Sequence, residues 1–222
     1  MKHTTMHSFV RAVASLRFEN CFNPYSDTCA VHDLPDAPNR RSCVLSAMLV
    51  QAQVRQVDAI WIGRDLGYRG GRRTGLALTD DVHVTRHADR WGILASRPTV
   101  GEAVSERTAA VIWSMLDRID DGIFLWNVFP LHPHEDGNAF SNRQHNIKER
   151  RAGEEILDQL VKLLQPRRIV AIGNDAAKAA ARLDASIPIL QVRHPSYGGQ
   201  RQFLDQMSAL YGCSTTQQGS LF

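Results

Sequence analysis

The sequence predicts an α/β protein, a three-layer α/β/α sandwich around a central, mainly parallel sheet of four strands. Four short apolar runs, rich in β-branched and aromatic residues, each end at a glycine, a polar residue or a turn. Longer segments with helical spacing of apolar residues separate these runs. Strands that alternate with helices favour a parallel sheet covered on both faces. In such sheets the ligand binds at the carboxyl ends of the strands.

The predicted strands cover residues 57–63, 122–128, 168–173 and 188–192. Helices are predicted over residues 104–116 and 175–183, and an apolar stripe from Ile156 to Leu164 predicts another that ends before Pro166. Residues 21–41 contain three prolines and are predicted to be an ordered loop rather than a strand or helix. Residues 215–222 are predicted to be a disordered tail.

Length and composition predict one domain, over residues 1–214. The chain has 222 residues, 43% of them hydrophobic, which suits one well-buried core better than two. No run approaches the roughly 20 apolar residues that span a bilayer, and the first residues form no signal-peptide core. We therefore expect a cytoplasmic monomer without a membrane partner.

The four cysteines have irregular spacing, which indicates free thiols in a reducing compartment. A zinc or iron-sulfur site on Cys21, Cys29 and Cys43 is the alternative, but these residues lack the paired spacing typical of such sites.

Basic residues are clustered although the net charge is only +3. Two short segments hold four each: Arg64, Arg69, Arg72 and Arg73 in one, and Arg143, Lys148, Arg150 and Arg151 in the other. Such patches suit a polyanion such as the DNA backbone. A solvated surface is the alternative interpretation.

The first predicted strand ends in a glycine-rich loop that starts at Gly63 and continues to Gly71. Its glycines let the backbone approach a ligand closely, and Asp65 directly follows the strand, where a carboxylate can act in the cleft. A phosphate-binding loop is a weak alternative, because neither of the common glycine motifs of such loops is present.

The second predicted strand brings Asn127 to its end. An amide there can offer a donor and an acceptor to one pyrimidine edge, although it could instead only hold its own loop. Histidines and carboxylates after this strand suggest a metal centre, but prolines and scattered spacing argue against it; the residues are His132, His134, Glu135, Asp136 and His145.

The last predicted strand leads into Arg193-His194-Pro195-Ser196-Tyr197-Gly198. A histidine at this place can hydrogen-bond negative charge that develops on a departing base. Ser196 and the glycine N–H groups can hold a phosphate, and Tyr197 could insert into a base stack.

These motifs, in this order, resemble the uracil-DNA glycosylase superfamily over roughly residues 23–203. The matching segments are Gly63-Arg64-Asp65-Leu66-Gly67, the strand ending in Asn127, Val170-Ala171-Ile172-Gly173-Asn174, and His194-Pro195-Ser196. Gly67-Tyr68-Arg69-Gly70, Thr74-Gly75 and Asn23-Pro24-Tyr25 most resemble small bacterial relatives of the iron-sulfur branch. The resemblance implies a glycosylase that flips a pyrimidine out of DNA and cuts its N-glycosidic bond.

Departures from the family pattern qualify this expectation. The regions that hold cluster ligands in the iron-sulfur branch contain Leu131 and Ala152-Gly153, so we expect no cluster and no other cofactor. Asp65 matches the water-activating aspartate of the Gly-Gln-Asp-Pro-Tyr branch. Leu78 replaces the aromatic that stacks on uracil, and Gly67 replaces a tyrosine that excludes 5-substituted pyrimidines.

The resemblance implies roles for three groups of residues, with no metal ligand. Asp65, His194 and Asn127 are the expected catalytic residues. The expected base pocket consists of Gly63, Arg64, Leu66, Gly67, Tyr68 and Leu78, and the expected DNA contacts are Arg69, Arg143, Arg193, Ser196, Tyr197, Gly198 and Arg201. Three functions remain open: uracil excision, excision of a modified pyrimidine such as glucosylated hydroxymethylcytosine in phage defence, and a binding module without catalysis.

Overall fold

The computed structural model describes residues 5–183 and 186–213. The described chain contains eight helices: α1 (Met6–Ser15), α2 (Ala37–Arg55), α3 (Gly71–Thr74), α4 (Val84–Arg90), α5 (Arg107–Leu116), α6 (Ile147–Leu164), α7 (Asn174–Ala180) and α8 (Gln200–Tyr211). Its strands are β1 (Cys21–Phe22), β2 (Ala59–Asp65), β3 (Ile123–Phe129), β4 (His132–Pro133), β5 (Arg168–Ile172) and β6 (Ile189–Val192). The predicted tail, residues 215–222, lies outside the described residues.

The central sheet has four parallel strands in the order β3-β2-β5-β6, which confirms the predicted fold class. Strand β2 continues two residues beyond the predicted end, so Asp65 is its last residue. In the register with β3, Gly63 lies opposite Asn127 and Asp65 lies opposite Phe129. The ends of these two strands therefore lie side by side.

Alternating strand residues divide between two apolar layers, as the two-residue period of a strand requires. Ile60, Ile62 and Trp126 pack in a cluster with residues of α1, α2, α6 and α7. Trp61 and Leu125 pack on the opposite face with residues of α5 and α8. The helices therefore cover both faces of the sheet and leave its carboxyl edge to the loops.

The prediction of a loop over residues 21–41 is wrong at both ends. Helix α2 begins at Ala37, with Pro38 in its first turn, where a missing backbone N–H costs nothing. Cys21–Phe22 pairs antiparallel with His132–Pro133 as a two-stranded ribbon. The pairing partner lies more than a hundred residues away, so the local sequence does not reveal it. Helix α5 also starts later than predicted, at Arg107.

The first predicted basic patch is also wrong in part, because Arg72 and Arg73 are buried. The Arg72 guanidinium lies 3.8 Å from the centre of the Phe22 ring, and Arg73 donates to Asp81 at 2.7 Å. These two arginines stabilise the loop instead of facing a polyanion. Within the described ranges, no helix is both long and apolar enough to cross a membrane.

Candidate active site

The expected catalytic residues lie at the carboxyl edge of the sheet. Asp65 ends β2, Asn127 lies near the end of β3, and His194 follows β6 by two residues. Gly173, at the end of the intervening strand β5, lies close to the His194 ring carbons: a Cβ on this glycine would be 3.2 Å from the His194 Cβ. The parallel topology therefore places all three residues at the same edge of the sheet.

Asn127 is 1% exposed, and its Oδ1 has no hydrogen-bond partner within the described chain. A Cβ on Gly63 would lie only 2.5 Å from this oxygen, so the absence of a side chain at Gly63 makes room for the amide. An unpaired buried polar group costs about 1–3 kcal/mol. The acceptor is therefore available to a donor on a ligand that enters at this strand end.

Leu78 lies beside the same amide. Its Cδ2 would lie 3.0 Å from a Cβ on Gly63. The Leu78 backbone has φ 54, a left-handed conformation that costs a non-glycine residue energy and is concentrated at functional sites. Trp113 Nε1 donates to the Leu78 carbonyl at 3.2 Å and holds this conformation. Gly63, Asn127 and Leu78 thus form one wall of a candidate base pocket.

The Asp65 carboxylate accepts hydrogen bonds on both oxygens. Arg64 Nε donates to Oδ2 at 2.7 Å, and the His145 ring donates to Oδ1 through Nδ1. The Asp65 side chain is only 6% exposed, so this carboxylate is held in one orientation. The Arg64 guanidinium also contacts the Asp175 carboxylate at 3.3 Å. Among the described residues, Arg64 forms no hydrogen bond or ion pair with Asn127 or Leu78.

His145 is a site residue that the sequence did not identify as a partner of Asp65. It lies in the loop before α6, next to Asn146, which caps that helix by accepting the backbone N–H groups of Lys148 and Glu149. The cap fixes the position of His145 relative to the helix, and its side chain is 10% exposed. The only sequence signal was a histidine directly before a helix start.

His194 is arranged to donate through one defined nitrogen. Its Nδ1 accepts the backbone N–H of Ser196 at 3.1 Å and lies 2.7 Å from the Ser196 hydroxyl. Because Nδ1 accepts, the proton of the neutral ring lies on Nε2. Burial lowers the pKa of His194, and the positive charges of Arg64 and Arg193 lower it further. The ring is therefore a neutral hydrogen-bond donor at pH 7.

The loop after His194 projects from the surface. Tyr197 is 96% exposed and has φ 52, and Gly198 has φ 75. Two consecutive left-handed residues form a tight turn that presents the Tyr197 ring to solvent. Arg193 and Arg201 are also exposed, so their guanidinium groups are accessible to a ligand.

A basic groove of about 610 Å³ lies between α6 and α7, next to Asp65. His145 and Arg64 line its inner end, and Lys148 and Lys178 lie farther out. Arg150 and Arg182 also line the groove, but both contact Glu154. Lys148 belongs to the second predicted basic segment, whereas Lys178 lies in neither segment.

A second cavity, of about 410 Å³, lies on the side of Gly67. Tyr68 and Arg69 line it, together with Glu106 and Asn142. Asn142 also accepts the backbone N–H of Tyr68 at 3.0 Å. A Cβ on Gly67 would lie 3.0 Å from Glu106 Oε1, so the space beside this glycine ends at a carboxyl group.

Two expected site residues lie elsewhere. Leu66 is buried and packs with Trp61 in the apolar layer under α5 and α8, because its side chain points into the core where the chain leaves β2. Arg143 is held internally: it donates to both carboxylate oxygens of Glu149, at 2.7 and 2.8 Å, and to the His134 carbonyl. Neither residue faces the cleft, and both expectations are corrected.

The residues at the cluster positions of the iron-sulfur branch do not fit a cluster. Leu131 is fully buried, and a Cβ on Gly153 would lie 2.2 Å from the Val128 carbonyl oxygen, so no ligand side chain could occupy that position. In the part of the chain that the structure describes, all four cysteines are free and no three potential ligands are grouped around a metal position.

Comparison with known proteins agrees with this geometry. The family model described as the uracil DNA glycosylase superfamily matches residues 53–210, more than half of the chain. Among solved structures, the chain is similar to wild-type SMUG2 of Pedobacter heparinus, with a TM-score of 0.61 and 15% identity over 92% of this chain and 97% of that one. No curated protein matches. The chain belongs to the uracil-DNA glycosylase superfamily.

Proposed function

We propose that the protein is a monofunctional DNA glycosylase that hydrolyses the N-glycosidic bond of a pyrimidine flipped out of DNA. The observation that carries the proposal is the arrangement at one sheet edge of an oriented carboxylate, an unpaired buried amide and a neutral histidine donor. Membership of the superfamily supports the reaction class. The chemistry needs no metal or other cofactor.

Asp65 and His145 are proposed to serve the attacking water. The water oxygen bonds to C1′ of the sugar while the bond from C1′ to the base nitrogen breaks, and the water proton passes to the Asp65 carboxylate. The hydrogen bonds from Arg64 and His145 keep this carboxylate in place, and its charge stabilises positive charge on the sugar.

His194 is proposed to stabilise the leaving base. The electron pair of the broken bond moves onto the base, where it creates an anion. A neutral His194 can donate its Nε2–H to that anion, and the ring does not need to be protonated first. Ser196 fixes the tautomer from the other side of the ring.

Asn127 is proposed to bind the base, and the Tyr197 loop to bind the DNA. The unpaired Oδ1 of Asn127 can accept from a base N–H group. Flipping costs a few kcal/mol, and the exposed Tyr197 ring can fill the vacated stack. Ser196, Gly198 and the exposed Arg193 and Arg201 can contact the backbone phosphates near that point.

The substrate is proposed to be wider than uracil. Leu78 provides no flat stacking surface, and Gly67 carries no side chain on the side of the second cavity. Both features favour a modified pyrimidine, for which excision from invading phage DNA is one biological use. Uracil repair is the second candidate, since an asparagine amide also suits uracil.

The experiment is excision from oligonucleotides that carry uracil, thymine, hydroxymethylated or glucosylated pyrimidines, followed by alkaline cleavage of abasic sites. The Asp65→Asn protein is the matched control, because an amide can hold water but cannot take its proton. Excision by the parent and not by this variant supports the proposal. Binding without excision by the parent would instead support a non-catalytic module.

A further inference from the structure

Glu106 is a partly buried carboxyl group to which the proposed reaction assigns no role. It occupies the N-cap position of α5, but its side chain does not cap the helix. Its backbone N–H donates to Asp80 at 2.7 Å, which fixes the main chain at this point. Across the described residues, no donor forms a hydrogen bond with either oxygen of its side chain. Such a group calls for a ligand or a functional reason.

Two glycines make room for this carboxyl group. A Cβ on Gly70 would lie 1.9 Å from Glu106 Oε2, and one on Gly67 would lie 3.0 Å from Oε1. Neither glycine has a positive φ. The Glu106 carboxyl approaches both positions more closely than an ordinary Cβ contact would allow. The loop that follows Asp65 is therefore shaped around the Glu106 side chain.

Several polar side chains line the cavity in front of Glu106. Ser105 and Thr108 contribute hydroxyl groups, Asn142 an amide, Arg69 a guanidinium and Tyr68 a phenol ring. Burial, with a smaller contribution from the nearby Asp80 carboxylate, raises the pKa of Glu106 to about 7, while Arg69 opposes the change. A perturbed carboxyl group in a cleft is a candidate for ligand recognition.

We propose that this cavity is a subsite for a hydroxyl-bearing substituent on the flipped base, with Glu106 as the specificity-determining residue. The inference rests on the proposed glycosylase function. A hydroxyl group can donate to the carboxylate and accept from Arg69 or Asn142. A phosphate is disfavoured by the carboxylates of Glu106 and Asp80, and a methyl group would leave Glu106 unpaired.

The test compares uracil, thymine and 5-hydroxymethyluracil in the same oligonucleotide. Single-turnover excision is measured for the parent, for Glu106→Gln and for Glu102→Gln, an exposed control on the same segment. Binding is measured by fluorescence anisotropy with the same substitutions in the Asp65→Asn protein. Circular dichroism and thermal unfolding check that each variant is folded.

We expect the parent to favour the hydroxymethyl base over thymine, and Glu106→Gln to reduce this ratio roughly tenfold or more, as for a lost hydrogen bond to a charged group. Glu102→Gln should keep the parental ratio. Absence of the preference in the parent, or an unchanged ratio in Glu106→Gln, overturns the subsite. If no base is excised at all, the proposed function fails, and the binding ratio alone decides the subsite.

Discussion

The Nδ1–H of His145 donates to the carboxylate of Asp65, a residue 80 positions earlier in the chain. The bond joins the end of β2 to the loop before α6, and Arg64 occupies the other carboxylate oxygen. Asp65 therefore has one fixed orientation, with neighbours on two sides that leave the remaining lone pairs for water.

His145→Gln should lower the excision rate roughly 10- to 100-fold, the range in which misplaced catalytic groups reduce rates. Glutamine cannot place a donor on Asp65 in the same geometry, so the carboxylate gains freedom. The measurement is single-turnover excision beside His7→Gln, an exposed histidine outside the site. A His145→Gln rate equal to that of His7→Gln would remove the residue from the mechanism.

The sequence was sufficient to locate Asp65, Asn127 and His194, because each follows an apolar run and parallel strands end at a common edge. The strand boundaries agreed with the prediction to within two residues. Side-chain directions beyond the strands were not predictable. Leu66 follows Asp65 directly, yet points into the core, since the turn after β2 and not the strand period sets its direction.

Long-range polar contacts were also beyond the sequence. Arg143 belongs to a basic segment, but Glu149 and several carbonyl groups satisfy its guanidinium. Glu106 lies in the first turn of a predicted helix, and only the folded loop brings Gly67 and Gly70 against its side chain. Such contacts depend on loop geometry, which the local sequence pattern does not predict.

His194→Ala should cost about 2.7–4 kcal/mol of transition-state stabilisation, by analogy with the loss of one oxyanion donor. The rate of excision, measured in single turnovers, should fall while DNA affinity changes little. If affinity falls and the rate at saturation does not, His194 binds DNA and does not act on the leaving base.

The pH profile should report the neutral form of His194. Burial lowers its pKa below the ordinary value of 6.5, so the acid limb of excision should lie below the pH at which an ordinary histidine titrates. Ser196→Ala removes the hydroxyl next to Nδ1 and should move the acid limb upward, because the protonated ring is then disfavoured less. An acid limb at or above pH 6.5 in the parent contradicts the neutral-donor role.

Gly67→Tyr should suppress excision of 5-substituted bases far more than excision of uracil. The new side chain would enter the space that now ends at Glu106 Oε1, 3.0 Å from the Cβ position, and the backbone φ permits it. A steric clash can discriminate by more than the roughly 1–3 kcal/mol of a missing methylene. Gly67→Ala is the smaller control. An equal loss for every base would favour simple uracil repair.

The raised pKa of Glu106 predicts a specific pH dependence of stability. In the folded state the carboxyl keeps its proton up to about pH 7, whereas in the unfolded state it releases the proton near its ordinary value of 4.5. Between these values the folded state binds more protons, so the contribution of Glu106 to stability falls as the pH rises. The difference between the folded and unfolded pKa values limits this loss in the free energy of unfolding to roughly 3 kcal/mol, at about 1.36 kcal/mol for each pKa unit.

Glu106→Gln removes this titration and leaves Asp80 and Arg69, the charged groups nearest to it, in place. The variant should match the parent near pH 4.5 and exceed it in free energy of unfolding at pH 7.5. Urea unfolding at both pH values measures the difference, provided that the dependence on urea is unchanged. If the free energy of unfolding changes equally with pH in parent and variant, the carboxyl is solvated and its pKa is not raised. A stability gain combined with lost selectivity for hydroxyl-bearing bases is the pattern expected of a residue kept for recognition at the expense of the fold.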